Sequence, residues 1–328
     1  MKERRIPTAA CAVLLCTLLL FSCAPHYERA EGYAMGTFVS VTSRDGQSAL
    51  SLLPAVSTLE NEISHSIDSS LIAALNRGET VTLSKEVYAA LSLSLELSEA
   101  TGGAFSVLVL PITSLWDFDR GVRPTDAALA EALKRMEDSE LLLEDGRATL
   151  KSGGVDLGAI GKGLAADILA SALADAGEEG LVAVGGSIGA VGKKNGEPWR
   201  IGVRDPFSSS QSATLGTLSL SDAFVSTSGS YEKSFEENGE QYHHILDPKT
   251  GMPVAKGLVS VTVIAESGVL SDALSTALFA VGMEEGRELC ARYGAEALFV
   301  TSTGEMYATD GFLSVFTSKS GEVHPLAA

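Results

Sequence analysis

Asp272 and Thr276 stand four residues apart in Ser271-Asp272-Ala273-Leu274-Ser275-Thr276, so on a helix they share one face and offer two oxygen donors together. Such donors suit a hard divalent cation that keeps substrate phosphates in its shell; a helix cap at Asp272 with a core-edge Thr276 would explain the same letters. A second block, Asp156-Leu157-Gly158-Ala159-Ile160-Gly161-Lys162-Gly163, sets a lysine inside a glycine-rich turn that opens a helix. It is not a nucleoside-triphosphate loop, because two residues rather than four separate Gly158 from Gly161 and Gly163, not Ser or Thr, follows the lysine. What remains is a cradle of free backbone N–H groups beside a cation, suited to an anion, or else the tight packing of a helix start on a strand.

His243 and His244 are adjacent near the end of a strand, where neighbours point to opposite faces, so at most one of them faces a site. That one is a candidate general base for a hydroxyl nucleophile; a structural histidine bonded to backbone is the alternative. Ser226-Thr227-Ser228-Gly229-Ser230 lacks the Gly-x-Ser-x-Gly elbow of serine hydrolases, and its hydroxyls are expected to line a binding site instead. Trp116-Asp117-Phe118 reads as a core aromatic pair around a polar residue, and Lys193-Lys194-Asn195-Gly196 as a charged hairpin turn.

The elements that must position these groups alternate without strict βαβ spacing. Thr37–Thr42, 181–184, 200–203, 259–264 and 297–301 read as strands; 49–63, 85–100, 125–136, 163–176 and 272–281 read as helices, with Thr125 a cap and Gly177 a stop. The pattern predicts an α+β fold of mixed sheets with packed helices.

Residues 1–22 read as a secretory leader: Lys2, Arg4 and Arg5 precede an apolar run from Ala9 to Phe21 that is too short to span a bilayer. The run ends Leu20-Phe21-Ser22-Cys23, which looks like a bacterial lipobox with Cys23 as the lipidated residue. An exported protein, lipid-anchored on the periplasmic face of a membrane, is the expectation, with 23–32 as a tether, 33–317 as one catalytic domain and 318–328 as a fraying tail. Losing Lys2, Glu3, Arg4 and Arg5 moves the net charge from −18 to −20, which excludes binding nucleic acid through the bulk surface. An anionic ligand must then be attracted locally, and a bound cation would do that. After cleavage and lipidation Cys290 is alone, so no internal disulfide forms.

In chain order, Met35-Gly36-Thr37, Gly102-Gly103-Ala104-Phe105, Asp156–Gly163, Thr227-Ser228-Gly229, His244-Ile245-Leu246-Asp247-Pro248 and Asp272–Thr276 form a series that resembles the ApbE family of FAD:protein FMN transferases. Ser64 with Ser70–Asn76, Val184-Gly185-Gly186 and Trp199–Val203 leading to Asp205-Pro206 extend the match. The resemblance implies a T-fold-like flavin-binding architecture that uses Mg²⁺. It further implies transfer of FMN from FAD to a threonine hydroxyl of a target flavoprotein subunit, with release of AMP. By motif, FAD contacts would come from Met35, Ala104, Phe105, Ser106, Asp156, Lys162 and Leu246; metal ligands from Asp272, Thr276 and the Ala159 carbonyl; and catalysis from His244. Three positions depart from the family pattern: Ser106 where Asp is frequent, Ser66 or Ile67 where an aromatic is usual, and Ser275 where some members have Asp. A pyrophosphatase that releases FMN and AMP, and a flavin-binding lipoprotein without activity, are the other classes compatible with these residues.

Overall fold

The computed structural model describes residues 26–326. The expected leader and Cys23 lie outside the described residues. Among the described residues no helix is long and apolar enough to cross a membrane.

A nine-stranded sheet organises the chain, in the spatial order Glu28–Ala34, Thr37–Ser43, Gly180–Val184, Ser187–Val191, Ala223–Gly229, Leu258–Ala265, Glu296–Thr301, Met306–Ala308 and Val323–Pro325. Every neighbouring pair is antiparallel except the last, where Met306–Ala308 runs parallel to Val323–Pro325. Alternation along the strands divides their side chains between two cores. Val39, Val41, Val182, Val184, Val261, Val263, Ala297 and Phe299 face the main core with the helices. Leu181, Ile188, Ala190, Val225, Ile264, Leu298 and Val300 face a second core, closed by a three-stranded sheet of Trp199–Arg204, Thr214–Leu220 and Phe316–Ser318. The fold is α+β with mixed sheets, as the sequence leads one to expect.

Two helices dominate the main core. Gly161–Asp175, here the lysine helix, is rich in alanine and buries Leu164, Ala165, Ala166, Leu169, Ala170 and Leu173. Gly268–Val281, here the acid helix, is buried on nearly all sides, as an all-round apolar helix must be. Lys85–Ala100 forms where expected, capped by Ser84, and Asp126–Glu137 starts at the expected cap, Thr125.

Several boundaries differ from expectation. The helix read over 49–63 is two, Gly46–Leu52 and Pro54–Ile63, because Pro54 cannot donate an N–H to the preceding turn. The segment read as a tether contributes the strand Glu28–Ala34, held by seven cross-strand pairs to Thr37–Ser43. The segment read as a tail supplies Val323–Pro325 to the far edge of the sheet. In both, polar letters without apolar alternation conceal a strand held by backbone pairing. The turn at Lys194–Glu197 forms as read, with Asn195 and Gly196 both at positive φ.

Candidate functional site

The site begins where the lysine and acid helices touch. Gly163 and Gly268 meet backbone to backbone; a Cβ on either would collide with the carbonyl oxygen of the other. Each helix also caps the other. The Asp272 Oδ2 atom accepts from the Gly163 N–H at 2.8 Å, while Asp167 accepts from the Gly268 and Val269 N–H groups at 2.5 and 2.8 Å. The acid helix starts at Gly268 with Ser267 as its N-cap, so Asp272 stands in the second turn, and the reading of Asp272 as that helix's own cap falls away. Thr276 follows one turn later. The Ser228 hydroxyl, from the neighbouring strand, lies 3.0 Å from the Thr276 Oγ1 and 2.8 Å from the Ser275 Oγ. The Thr-Ser-Gly block thus brings a hydroxyl to Ser275 and Thr276 on the acid helix rather than a nucleophile to a base.

The glycine loop proves to be closed on itself. Gly158 N–H donates to Asp156 Oδ1 at 2.9 Å, Ile160 and Gly161 donate to the Leu157 carbonyl at 3.1 and 2.8 Å, and Gly163 donates to Asp272. The open cradle of N–H groups expected from the sequence is therefore largely occupied by the chain's own oxygens. The exchange has a second effect. In a continuing helix Gly163 would donate to Ala159, four residues back. Its turn towards Asp272 leaves the Ala159 carbonyl without that bond, at the loop beside the carboxylate.

Lys162 is the electrostatic centre. Its ammonium reaches the Gly158 carbonyl at 3.3 Å, and its stem runs past Gly185, where a Cβ would come within 3.2 Å of the Lys162 Cδ and 2.9 Å of the Thr37 Oγ1. Asp272 is buried, and burial raises its pKa while Lys162 opposes the rise. Glu232 keeps contact with solvent but is flanked closely by the chain; desolvation raises its pKa, and Lys162, then Arg204, pull it back. His244 is pushed down to about 4, first by burial and then by Lys162 and Lys233, so at neutral pH it is an uncharged imidazole able to accept a proton. Its Nδ1 is buried without a hydrogen-bond partner.

The two histidines divide their roles. His243 places its Nε2 3.2 Å from the Val254 carbonyl and its ring edge-on to Phe279, a structural arrangement. His244 follows the strand Glu240–His243, is held by its N–H to the Lys233 carbonyl, and meets Phe118 edge-on at 6.5 Å. Behind it Trp116 and Phe118 stack at 5.4 Å, with Phe235 and Tyr242 against them, and the Trp116 indole N–H donates to the Gly251 carbonyl. The aromatic pair is a core cluster, as its letters suggest.

The other residues singled out take varied positions. Met35 occupies the turn between the first two strands at φ +53, and its Cε lies beside Gly161 at the start of the lysine helix. Asp156 is held by the Thr113 hydroxyl at 2.7 Å and lies 3.6 Å from His65 Nδ1, so it shapes the loop that precedes Lys162. The Ala104–Ser106 stretch adjoins it, since the Asp156 N–H donates to the Val107 carbonyl. Phe105 is 2% exposed and packs in the main core, which leaves only its backbone for a ligand. The Ser106 hydroxyl accepts from the Leu108 N–H, and Leu246 is part of the aromatic cluster and pairs with Pro253. Glu232 and Arg204 were not legible as neighbours of Lys162, nor Asp167 as the cap of the acid helix. Arg204 lies 4.7 Å over the Tyr231 ring, and its Nε is buried without a partner. The one available signal was a charged Glu232 just beyond the Thr-Ser-Gly block.

Among the described residues no three His, Cys, Asp or Glu side chains gather as a metal site. The groups expected to hold a metal, the Asp272 carboxylate, the Thr276 hydroxyl and the Ala159 carbonyl, offer oxygen donors only. This fits a hard cation completed by a phosphate-bearing ligand and does not fit zinc.

Comparison with known proteins gives the chain its relatives. The model of the ApbE family matches residues 35–299. The FAD:protein FMN transferase of Treponema pallidum (strain Nichols) is 35% identical over 320 residues, which cover 88% of this chain and 88% of that protein. The FAD:protein FMN transferase of Escherichia coli (strain K12) is 29% identical, with 85% of each covered. The crystal structure of the ApbE protein of Thermotoga maritima superposes with a TM-score of 0.79 at 30% identity, covering 88% of this chain and 99% of that one. The flavin transferase ApbE of Vibrio cholerae superposes with a TM-score of 0.76 at 27% identity, over 88% and 99%.

Proposed function

The chain belongs to the ApbE family and is a flavin transferase, and we propose that it moves FMN from FAD to a threonine hydroxyl of a target flavoprotein subunit, releasing AMP, with Mg²⁺ as cofactor. The observation that carries this reading is the convergence on Lys162 of an uncharged, half-buried histidine, His244, and a buried carboxylate, Asp272. One group can take a proton, the other can hold a cation, and the lysine between them meets an anion.

In the proposed reaction the threonine oxygen attacks the FMN-side phosphorus of FAD. A new phosphorus–oxygen bond joins FMN to the protein, and the bond to the bridging oxygen breaks, so that oxygen leaves on AMP. His244, uncharged at neutral pH, accepts the threonine proton. Lys162 balances the negative charge that grows on the phosphoryl oxygens. Asp272, Thr276 and the Ala159 carbonyl would hold Mg²⁺, which when bound supplies Lewis-acid charge to the pyrophosphate. Met35, Asp156, the Ala104–Ser106 backbone and Leu246 would bound the FAD cleft around these groups. Lipidation at Cys23 and residence on the periplasmic face of a membrane belong to the same proposal and rest on the sequence.

The test is to incubate the purified mature protein with FAD and Mg²⁺, with and without a threonine-bearing flavoprotein subunit, reading AMP by chromatography and flavin by in-gel fluorescence. Fluorescent acceptor together with AMP is the expected result. AMP and free FMN with no labelled protein would make the enzyme a pyrophosphatase. FAD binding without AMP would leave only flavin storage.

A further inference from the structure

Along one line the acid helix meets the sheet through paired hydroxyls. Ser271 and Ser275, four residues apart and so on one helix face, are both fully buried. The Ser271 Oγ lies 2.8 Å from the Ser226 Oγ, and the Ser275 Oγ lies 2.8 Å from the Ser228 Oγ. Ser226 and Ser228 stand two apart on the strand Ala223–Gly229, so they too share a face. The two pairs are built alike at the helix end: Ser271 donates to the Gly268 carbonyl at 3.0 Å, and Ser275 to the Asp272 carbonyl at 2.8 Å. They differ at the strand end, where the Ser228 Oγ has a further neighbour, the Thr276 Oγ1 at 3.0 Å. A pair is enough to satisfy a packed hydroxyl, so the third hydroxyl calls for another reason.

Each hydroxyl has one proton to give, and counting the protons fixes the direction of this chain. A carbonyl cannot donate, so Ser275 gives its proton to the Asp272 carbonyl. The contact between Ser228 and Ser275 then needs the Ser228 proton, and the contact between Ser228 and Thr276 needs the Thr276 proton. Thr276 therefore turns its O–H towards the strand and keeps its lone pairs for another partner. Without Ser228 its hydroxyl could rotate and aim the proton at a cation. We propose that Ser228 and Ser275 are positioning residues, which hold the Thr276 hydroxyl with its proton turned away and its oxygen presented to the metal. The inference rests on the reading above of Asp272 and Thr276 as Mg²⁺ ligands, and it extends the metal site to two serines that never touch the ion.

The experiment titrates the mature protein with Mn²⁺, with and without FAD, and counts the free ion by electron paramagnetic resonance. Wild type is compared with Ser228→Ala, Ser275→Ala, Ser271→Ala and Asp272→Asn, and thermal unfolding without metal is read on each. Ser228→Ala and Ser275→Ala are expected to weaken Mn²⁺ binding about tenfold or more, as loss of a ligand-orienting group does. Ser271→Ala removes an equally buried hydroxyl from the same helix face and should leave Mn²⁺ affinity at the wild-type value, whatever its effect on melting temperature. Unchanged affinity in Ser228→Ala and Ser275→Ala, beside a loss in Asp272→Asn, would overturn the proposal and leave the metal reading standing. An equal loss in Ser271→Ala would also overturn it, making the line of hydroxyls a matter of packing. A wild type that binds no Mn²⁺, or an Asp272→Asn variant that binds it equally well, would instead defeat the metal reading, and this inference with it.

Discussion

Asp167 and Asp272 lie on two crossing helices, and each carboxylate receives backbone N–H groups from the start of the other's helix. For both, burial raises the pKa, and both satisfy donors that a helix start leaves without partners. They differ in what else is near. Asp167 gives both oxygens to the acid helix, and the other charge beside it is Asp272. Asp272 gives Oδ2 to Gly163, lies opposite Lys162, and shares its helix face with Thr276. The same capping geometry is structural in one place and part of a site in the other, because only one of the two carboxylates faces a lysine.

The sharpest way to break this contrast is to exchange carboxylate for amide. Asp272→Asn keeps an oxygen for Gly163 and removes the charge, so Mg²⁺-dependent turnover should fall on the order of 10³-fold with little change in melting temperature. Unchanged AMP release at saturating Mg²⁺ would remove Asp272 from the chemistry. Next in size is His244→Ala, expected to lower kcat by about a hundredfold or more while flavin fluorescence still reports bound FAD. Loss of FAD binding would make this histidine structural, like its neighbour His243.

The pH profile sharpens the same point. His244 has its pKa lowered from 6.5 to about 4, so its proton-accepting form prevails above that value and is lost as pH falls through it. The acid limb of kcat/KM should lie near pH 4, and replacing Lys162 by Met should move it upward. A limb near 6.5 in the wild type would show His244 to be outside the reaction. The depressed folded value also means that the neutral imidazole's contribution to stability is full above 6.5 and disappears as pH falls through about 4.

Smaller effects test the crossing itself. Gly163→Ala sets a methyl group against the Gly268 carbonyl and should cost about 1–3 kcal/mol in denaturant unfolding. A neutral result would mean that the helices can separate without loss. Asp167→Asn, which keeps one acceptor oxygen, should cost about 1 kcal/mol and leave turnover near wild type. A large activity loss there would erase the distinction between the two carboxylates.

These residues also mark how far the letters could be read. Thr125 and Gly161–Lys162–Gly163 announced helix starts because caps and glycines act locally. The partner of a buried group is not local. Gly163 reads as part of an anion loop, yet its main neighbour is Gly268, and its N–H is taken by a carboxylate 109 residues away. Glu232 and Arg204 enter the site through folding of distant strands, with no spacing rule to reveal them. The strand Glu28–Ala34 was hidden for a related reason: its order comes from pairing with Thr37–Ser43 across a Met-Gly turn, not from its own composition.

With the lipid anchor proposed above, that strand would limit how far the enzyme can act. Cys23, the proposed point of lipid attachment, precedes Glu28 by five residues, which reach at most about 17 Å when fully extended. The strand itself spans seven residues, about 23 Å, before the turn at Met35. The Met35 end of the cleft would therefore stay within about 40 Å of the bilayer surface, however the domain swings. A threonine carried higher than that above the membrane would escape labelling, and lengthening the chain between Cys23 and Glu28 would bring it into range.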